Sequence, residues 1–189
     1  MIKWIGRINC EVAMERNLIL FFSRAGQNIV GDQIVELEQG NSEYVARLIQ
    51  EAVGGTLFKI ETREDYPEDY EKCLDVAKDE MRKRFRPELK SFLGTASSYE
   101  NIIVCGPCWW DNYPMAVIAQ MELIDCDGKN VLPVMTYETG KVFKAEDNLK
   151  DACNGHVGKA LLIKGSEIDK KKKFIKAWAK ASAGEYEES

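Results

Sequence analysis

Short, wholly apolar segments that alternate with amphipathic segments constrain the fold of this 189-residue chain most strongly. Residues 18–22, 101–105 and 130–135 are apolar except for Asn101 and Asn130 at their first positions, which is typical of strands buried on both faces. Residues 56–60 and 159–164 are predicted as two further strands. Helical spacing of apolar residues predicts helices between and after these strands, at 42–53, 67–84, 115–121, 146–152 and 168–181.

This alternation of strands and helices predicts an α/β fold. Right-handed crossovers between the strands give a doubly wound five-stranded parallel sheet of order 2-1-3-4-5 with helices on both faces. Residues 17–189 then form one domain, and residues 1–16 are an N-terminal extension or a small accessory element, with Met14 a natural start. Ligands of such sheets bind beyond the carboxyl ends of the strands, so the loops after strands one, three and four are the expected site.

Composition excludes several classes of partner. A formal net charge of −5 and a pI near 5.2 argue against nucleic-acid binding, which requires a basic face. No apolar segment approaches the roughly 18 residues of a membrane span, and residues 1–16 do not resemble a signal peptide. The six cysteines are scattered rather than arranged as a compact disulfide framework, which favours a reducing, cytoplasmic location.

The first of the three loops has the composition of an anion site. Ser23 follows strand one, and Gly40-Asn41-Ser42 opens the first predicted helix after a long polar connection. Hydroxyl and amide groups beside the free N–H groups of a helix N-terminus suit a phosphate. The alternative is that Asn41 or Ser42 is an ordinary helix N-cap.

The second loop allows two redox interpretations. Cys105-Gly106-Pro107-Cys108 has the spacing of a thioredoxin dithiol, but Cys105 ends an apolar strand instead of opening a helix that would lower its pKa. The same loop continues as Trp109-Trp110-Asp111, and two adjacent tryptophans followed by polar residues suit a planar ligand better than a protein core. A disulfide between Cys105 and Cys108 stays open.

Together the loops resemble the flavodoxin-like family, specifically its short-chain, FMN-binding members. Ser23 and Gly40-Asn41-Ser42 are similar to that family's phosphate loop, divided here by residues 26–39, and Gly106-Pro107-x-Trp109-Trp110 is similar to its ring-binding loop. Thr136-Tyr137-Glu138-Thr139 partly matches its third loop, with Tyr137 in place of the usual histidine.

The resemblance implies non-covalent FMN binding and electron transfer through the flavin. The implied phosphate contacts are Ser23, Asn28, Gly40, Asn41 and Ser42. The implied ring contacts are Pro107, Cys108, Trp109, Trp110, Asp111, Thr136, Tyr137, Glu138 and Thr139. No residue is predicted as a catalytic acid or base, and no metal site is predicted.

Two alternatives remain at the level of sequence. An NAD(P)H-dependent quinone or flavin oxidoreductase would use the same scaffold, and Lys141 and Lys144 could then attract a nicotinamide phosphate. A binding module that has lost FMN is the other. The expected partners are redox proteins or small quinone or nicotinamide substrates.

Overall fold

The structure is a computed structural model, and it describes residues 16–140, 142 and 144–183. The predicted extension therefore lies outside the described residues except for Arg16, and so does Lys141. The strands are β1 Asn17–Phe21, β2 Gly26–Val30, β3 Gln33–Leu37, β4 Thr56–Lys59, β5 Asn101–Pro107, β6 Asn130–Tyr137, β7 His156–Val157 and β8 Leu161–Lys164. The helices are α1 Asn41–Val53, α2 Tyr70–Lys83, α3 Met115–Leu123, α4 Ala145–Ala152 and α5 Ile168–Ala183, with a 3-10 turn at Gly165–Glu167 before α5.

The main sheet confirms the predicted doubly wound α/β fold. Its strands run β4-β1-β5-β6 with β8 beside β6, and every pairing is parallel. This is the predicted order 2-1-3-4-5. One strand was not predicted: the two-residue β7 pairs with the amino end of β6, on the edge that β8 occupies further along. The sheet therefore has six strands instead of five.

Each face of the sheet carries its own apolar core. Ile49 of α1 and Ile175 of α5 pack on one face against Ile19 and Ile103. Val117 and Met121 of α3 pack on the other face, in a cluster that includes Leu149 of α4. Because strands β1 and β5 are covered on both sides, their sequences are apolar without alternation.

Several boundaries differ from the prediction by up to three residues. Helix α2 begins at Tyr70 instead of residue 67, because the Asp69 carboxylate accepts the Lys72 N–H at 2.9 Å and caps the helix there. Strand β5 continues through Pro107, two residues beyond its expected end. Strand β6 likewise includes Thr136 and Tyr137, which were expected in the following loop. None of the described helices is long and apolar enough to cross a membrane.

Residues 26–39 contain a β-hairpin where the sequence predicted only a polar connection. Strands β2 and β3 pair antiparallel, with Val30 opposite Gln33 across a two-residue turn. Gly31 holds the turn with a φ of 63°, a value that glycine adopts at little cost. The apolar pairs Ile29-Val30 and Ile34-Val35 on either side of Gly31-Asp32 were the available hairpin signal.

Three asparagines form a ladder at the amino end of the sheet. Asn17, Asn101 and Asn130 occupy matching positions on β1, β5 and β6. The Asn101 side chain donates to Asn17 Oδ1 at 2.8 Å, and the Asn130 side chain donates to Asn101 Oδ1 at 3.0 Å. Asn17 in turn donates to the Val53 carbonyl at the end of α1. The ladder fixes the register of the three central strands at the end opposite the predicted site.

Candidate functional site

A cavity of about 400 Å³ lies at the carboxyl ends of β1, β5 and β6. This is the switch point of the sheet, where the chain has run from β1 to one neighbour and then crosses to the other. The volume is within the range of about 300–1,000 Å³ usual for small-molecule and cofactor sites. The cavity is lined by Ser23, Arg24, Asn28, Ile29, Asn41, Ser42, Tyr70, Leu74, Pro107, Cys108, Trp109, Trp110, Asp111, Thr136, Tyr137, Glu138, Thr139 and Gly140.

The structure brings together all of the predicted site residues except Gly40, which lies behind the wall of the cavity as the N-cap of α1. Five lining residues were not predicted. Arg24 and Gly140 are sequence neighbours of predicted residues, so their position was the available signal. Ile29 comes from the hairpin, and Tyr70 and Leu74 come from the first turns of α2. Ile29 directly follows the predicted Asn28, whereas Tyr70 and Leu74 had no sequence signal, because they depend on how α2 folds over the sheet.

One end of the cavity is formed by the N-terminus of α1. The N–H groups of Asn41 and Ser42 have no acceptor within the helix, as in any first turn. The next N–H, that of Glu43, is accepted by Ser23 Oγ at 3.0 Å. The buried Ser42 hydroxyl contacts the Thr136 hydroxyl at 2.7 Å, which joins α1 to the end of β6. This end therefore combines hydroxyl groups, backbone donors and the positive end of a helix dipole.

Gly40 permits the close approach of the chain on both sides of the hairpin. A Cβ at this position would lie 2.2 Å from Ser23 Oγ and 2.4 Å from the Arg24 carbonyl oxygen. Any side chain here would push Ser23 away from the α1 N-terminus. Gly40 therefore shapes the cavity without lining it.

The Glu138 carboxylate fastens two loops to the edge of the cavity. One oxygen accepts the Gly31 N–H at the hairpin turn, and the other accepts the Ser166 N–H, both at 2.9 Å. The side chain is 5% exposed, and Lys164 Nζ lies 3.9 Å away. Burial alone would raise the pKa of Glu138, but the hydrogen bonds from Gly31 and Ser166 and the charge of Lys164 outweigh it and lower the pKa below its usual range.

Arg24 and Asn28 serve mainly to hold the loops around the cavity. The Arg24 guanidinium donates to the Pro67 carbonyl at 2.7 and 3.2 Å and also to the carbonyls of Glu68 and Gln27. The Asn28 amide donates to the carbonyls of Arg24 and Gly26 at 3.1 and 3.0 Å. These bonds leave Arg24 as a fixed positive charge beside the cavity, while the Asn28 amide closes the turn into the hairpin.

Trp109 forms a wall of the cavity through a cluster of three aromatic rings. Its ring packs edge-on against Phe22 and Tyr66, with centroids 5.4 and 5.0 Å away. Phe22 and Tyr66 also pack edge-on against each other, at 5.6 Å. The Tyr66 hydroxyl donates to Glu80 of α2 at 2.7 Å. Edge-to-face contacts of this kind fix the orientation of each ring, so Trp109 is held rigidly.

Trp110 lies at the mouth of the cavity in a different environment. The residue is 44% exposed, with Lys78 Nζ 5.2 Å from the ring centroid. Trp109 and Asn112 exchange backbone hydrogen bonds of 2.8 and 3.1 Å around a tight turn. The two central residues of this turn, Trp110 and Asp111, have φ values of 56° and 59°. Such values are unusual for a bulky side chain, so the turn presents the Trp110 ring at a conformational cost.

Asp111 connects this turn to α4. Its carboxylate accepts the Lys144 N–H at 3.4 Å, and its backbone carbonyl accepts the Asn148 amide at 3.2 Å. On the β6 side, the Thr136 carbonyl accepts the Cys108 N–H at 2.7 Å. The second and third loops are therefore linked by the backbone and surround the cavity as one unit.

The two cysteines of the second loop lack the properties of a dithiol active site. Cys105 lies within β5 and is fully buried, and Cys108 is half-buried at the cavity. Burial raises the pKa of both thiols, and both are free. A reactive thiol requires the opposite shift. The described residues also contain no cluster of three or more histidine, cysteine or carboxylate side chains that could hold a metal ion.

The fold and the cavity together define a doubly wound α/β protein whose site at the switch point has an end rich in hydrogen-bond donors and an aromatic end. The model of the flavodoxin family matches residues 37–181, which is most of the chain. The chain belongs to the flavodoxin family.

Comparison with solved structures gives the same fold. A candidate flavoprotein from Bacteroides uniformis ATCC 8492 is 27% identical, with a TM-score of 0.68 over 88% of this chain and 98% of that chain. A flavoprotein in complex with FMN from Lactobacillus acidophilus NCFM is 20% identical, with a TM-score of 0.56 over 82% and 97% of the two chains. Oxidised flavodoxin 2 from Bacillus cereus is 18% identical, with a TM-score of 0.51 over 90% and 99%. No curated protein matches the chain significantly.

Proposed function

We propose that this protein binds FMN non-covalently in the cavity at the switch point and transfers electrons through it. The observation that carries the proposal is the meeting of the α1 N-terminus and the tryptophan loop in one cavity of about 400 Å³. FMN has the matching shape, with a phosphate at one end and a planar aromatic ring at the other. Membership of the flavodoxin family and the FMN complex of the Lactobacillus acidophilus relative support the choice of ligand.

The residues present fit the two ends of FMN. The N–H groups of Asn41 and Ser42, with the hydroxyls at this end, would hold the phosphate, and Gly40 leaves the space that their approach requires. The Trp110 ring and Tyr137 would contact the isoalloxazine ring, and Trp109 would form part of the wall beside it. FMN supplies reversible uptake of electrons when bound, and the protein orients the ring and excludes water from it.

A titration of the flavin-free protein tests the proposal. Addition of FMN should quench flavin fluorescence and change the visible spectrum, with saturation at one FMN per chain. Riboflavin, which lacks the phosphate, should bind at least about tenfold more weakly, a difference of about 1.4 kcal/mol. Saturable FMN binding with equal riboflavin affinity would contradict the assignment of the α1 end to the phosphate. Absence of saturable binding would instead favour the FMN-free binding module.

The same preparation separates an electron carrier from an enzyme. The proposed carrier should exchange electrons with a redox protein and oxidise NAD(P)H slowly, with or without a quinone. The exposed Trp110 at the mouth of the cavity supports exchange with a partner at this surface. Rapid NAD(P)H oxidation that depends on a quinone would favour the oxidoreductase. The proposed location is cytoplasmic, which the free state of the five described cysteines supports.

A further inference from the structure

Two cysteines outside the cavity, Cys126 and Cys153, lie side by side at the amino end of β6. Cys126 belongs to the loop that leads from α3 to β6, and Cys153 directly follows α4. The two side chains lie close enough for their thiols to interact with each other. Cys126 is fully buried, and Cys153 is half-buried with its side chain packed against the same core cluster. Neither cysteine lines the cavity of the proposed flavin site.

The backbone around the pair keeps the two sulfur atoms adjacent. The Cys126 N–H donates to Asn154 Oδ1 at 2.9 Å, and the Asn154 amide donates to Asp125 Oδ1 at 3.0 Å. The two segments also touch at Gly155, where a Cβ would lie only 3.0 Å from the Cβ of Cys126. These contacts hold Cys126 beside the segment that carries Cys153, and a disulfide would bring the two sulfur atoms to about 2.0 Å.

The two thiols differ in reactivity. The hydrogen bond from the Cys126 thiol, together with the Gly155 N–H, lowers the pKa of Cys153 to about 7 in spite of burial. The same hydrogen bond and burial raise the pKa of Cys126, whose thiol also lies 3.6 Å from the Ile124 carbonyl oxygen. Cys153 is thus the thiolate that attacks, because it is both ionised more readily and more exposed. Cys126 is placed to attack Cys153 in a second step.

The surroundings of Cys153 select the oxidant. It opens into a shallow surface depression that Asp125, Asp151 and Glu122 also line. Glu122 forms an ion pair with Arg86 at 2.5 Å, and the charge of Lys129 acts on Asp125, so the three carboxylates outnumber the two cations and the rim is acidic. An anionic oxidant such as glutathione disulfide is repelled there, whereas hydrogen peroxide is small and uncharged. The eight residues of β6 separate this end from the cavity by about 25 Å, so the oxidant comes from solvent and not from the flavin site.

We propose that Cys126 and Cys153 form a modification site at which hydrogen peroxide produces a reversible disulfide. The Cys153 thiolate attacks one peroxide oxygen, the O–O bond breaks, and the departing hydroxide takes up a proton to leave as water. The resulting Cys153 sulfenic acid is attacked by Cys126, the S–O bond breaks, and a second water leaves with the Cys126 proton. Two thiols are oxidised by two electrons, one peroxide is reduced to two waters, and a small dithiol restores the pair.

The test is peptide mapping of the full-length protein after brief treatment with hydrogen peroxide, with and without FMN. We expect a Cys126–Cys153 disulfide in both samples, reversed by dithiothreitol. Cys153 should react about tenfold or more faster than Cys108, which is also half-buried but has its pKa raised by burial. Absence of this disulfide in protein that remains folded by circular dichroism would overturn the proposal, as would preferential oxidation of Cys108.

Variants assign the two roles. Cys153→Ala should abolish the disulfide, and Cys126→Ser should allow dimedone to trap a sulfenic acid at Cys153. Cys73→Ser, which alters another buried cysteine, is the control and should leave the disulfide unchanged. Faster dimedone trapping at Cys126 of Cys153→Ala than at Cys153 of Cys126→Ser would reverse the roles and contradict the proposal. Glutathione disulfide should react at least about tenfold more slowly than hydrogen peroxide at equal concentration; a faster mixed disulfide at Cys153 would refute the choice of oxidant. The disulfide and the sulfenic acid can both be detected in protein without FMN, so the result does not depend on the proposed flavin function.

Discussion

At the scale of single residues, Trp109 and Trp110 show how neighbours in sequence acquire separate tasks. Trp109 is fixed between Phe22 and Tyr66, and its ring is part of the wall. Trp110 has a φ of 56° and is 44% exposed, with Lys78 Nζ 5.2 Å from its ring centroid. The first residue is expected to contribute to stability, and the second to ligand affinity at some cost in stability.

Substitution of each tryptophan should separate these contributions. Trp109→Ala removes three-ring packing and should lower the free energy of unfolding by about 2 to 4 kcal/mol. Trp110→Gly relieves the positive φ and should leave stability unchanged or raise it by about 1 kcal/mol, while weakening FMN binding up to about tenfold. Urea unfolding of the flavin-free variants and FMN titration measure both quantities. An equal loss of stability in the two variants would contradict this division.

Glu138 gives a prediction with a defined pH dependence. Glu138→Gln places an amide where two N–H donors converge, so at least one donor loses its acceptor, and the free energy of unfolding at pH 7 should fall by about 1 to 3 kcal/mol. Because folding lowers the pKa of Glu138, its ionised form stabilises the protein fully above the ordinary glutamate value of 4.5. That stabilisation is lost as the pH falls through the lower, folded-state pKa.

The measurement is chemical unfolding of wild type and variant between neutral and acidic pH. The difference between the two should be constant above pH 4.5 and shrink below it. Glu64→Gln, at an exposed position before α2, is the control and should change stability by less than about 0.5 kcal/mol at every pH. A difference that grows on acidification would show that Glu138 is not held in its ionised form.

At the scale of elements, the approach of β1 to the N-terminus of α1 depends on Gly40. Gly40→Ala introduces a Cβ 2.2 Å from Ser23 Oγ, so the two segments must separate. We expect FMN affinity to fall at least about a hundredfold, equivalent to about 2.8 kcal/mol. Gly94→Ala is the matched control, since a Cβ at Gly94 would have no neighbour within 4 Å. Isothermal titration with FMN provides the comparison, and equal affinities of the two variants would contradict the role of Gly40.

The sequence predicts those elements whose stabilising interactions leave a local pattern in the sequence. The strands β1, β5 and β6 were predictable because burial on both faces requires continuous apolar residues. The hairpin of β2 and β3 was missed, since its residues are only partly buried and its position depends on the hydrogen bond of Gly31 to Glu138, far away in sequence. The proximity of Cys126 and Cys153 is likewise a product of tertiary packing and has no local signal.

At the scale of the whole molecule, the asparagine ladder that fixes the strand register and the cavity lie at opposite ends of the sheet. The asparagine ladder lies at the amino end of the sheet, where Asn101 also reaches the Ala183 carbonyl at 3.5 Å at the end of α5. The cavity lies at the carboxyl end. A change in the ladder should therefore alter stability without altering the site.

Asn101→Ala tests this separation. The buried side-chain oxygen of Asn17, Oδ1, loses its donor, and the free energy of unfolding should fall by about 1 to 3 kcal/mol. The FMN dissociation constant of the folded protein should change by less than about twofold. Ser98→Ala, at an exposed position of the loop before β5, serves as the control for both measurements. A large loss of FMN affinity in Asn101→Ala would show that the two ends of the sheet are energetically coupled.

The chain leaves the end of β1 at Ser23 and enters α1 at Gly40, which packs directly against Ser23. The hairpin between them is thus an insertion whose two ends are adjacent, and both ends lie at the α1 end of the cavity. An insertion of this kind can be replaced by one of another length at little cost, because the entropic cost of closing a loop rises only slowly with its length. Exchange of residues 26–39 for the corresponding segment of a relative should therefore change the part of the cavity that Asn28 and Ile29 line and leave the rest of its lining unchanged.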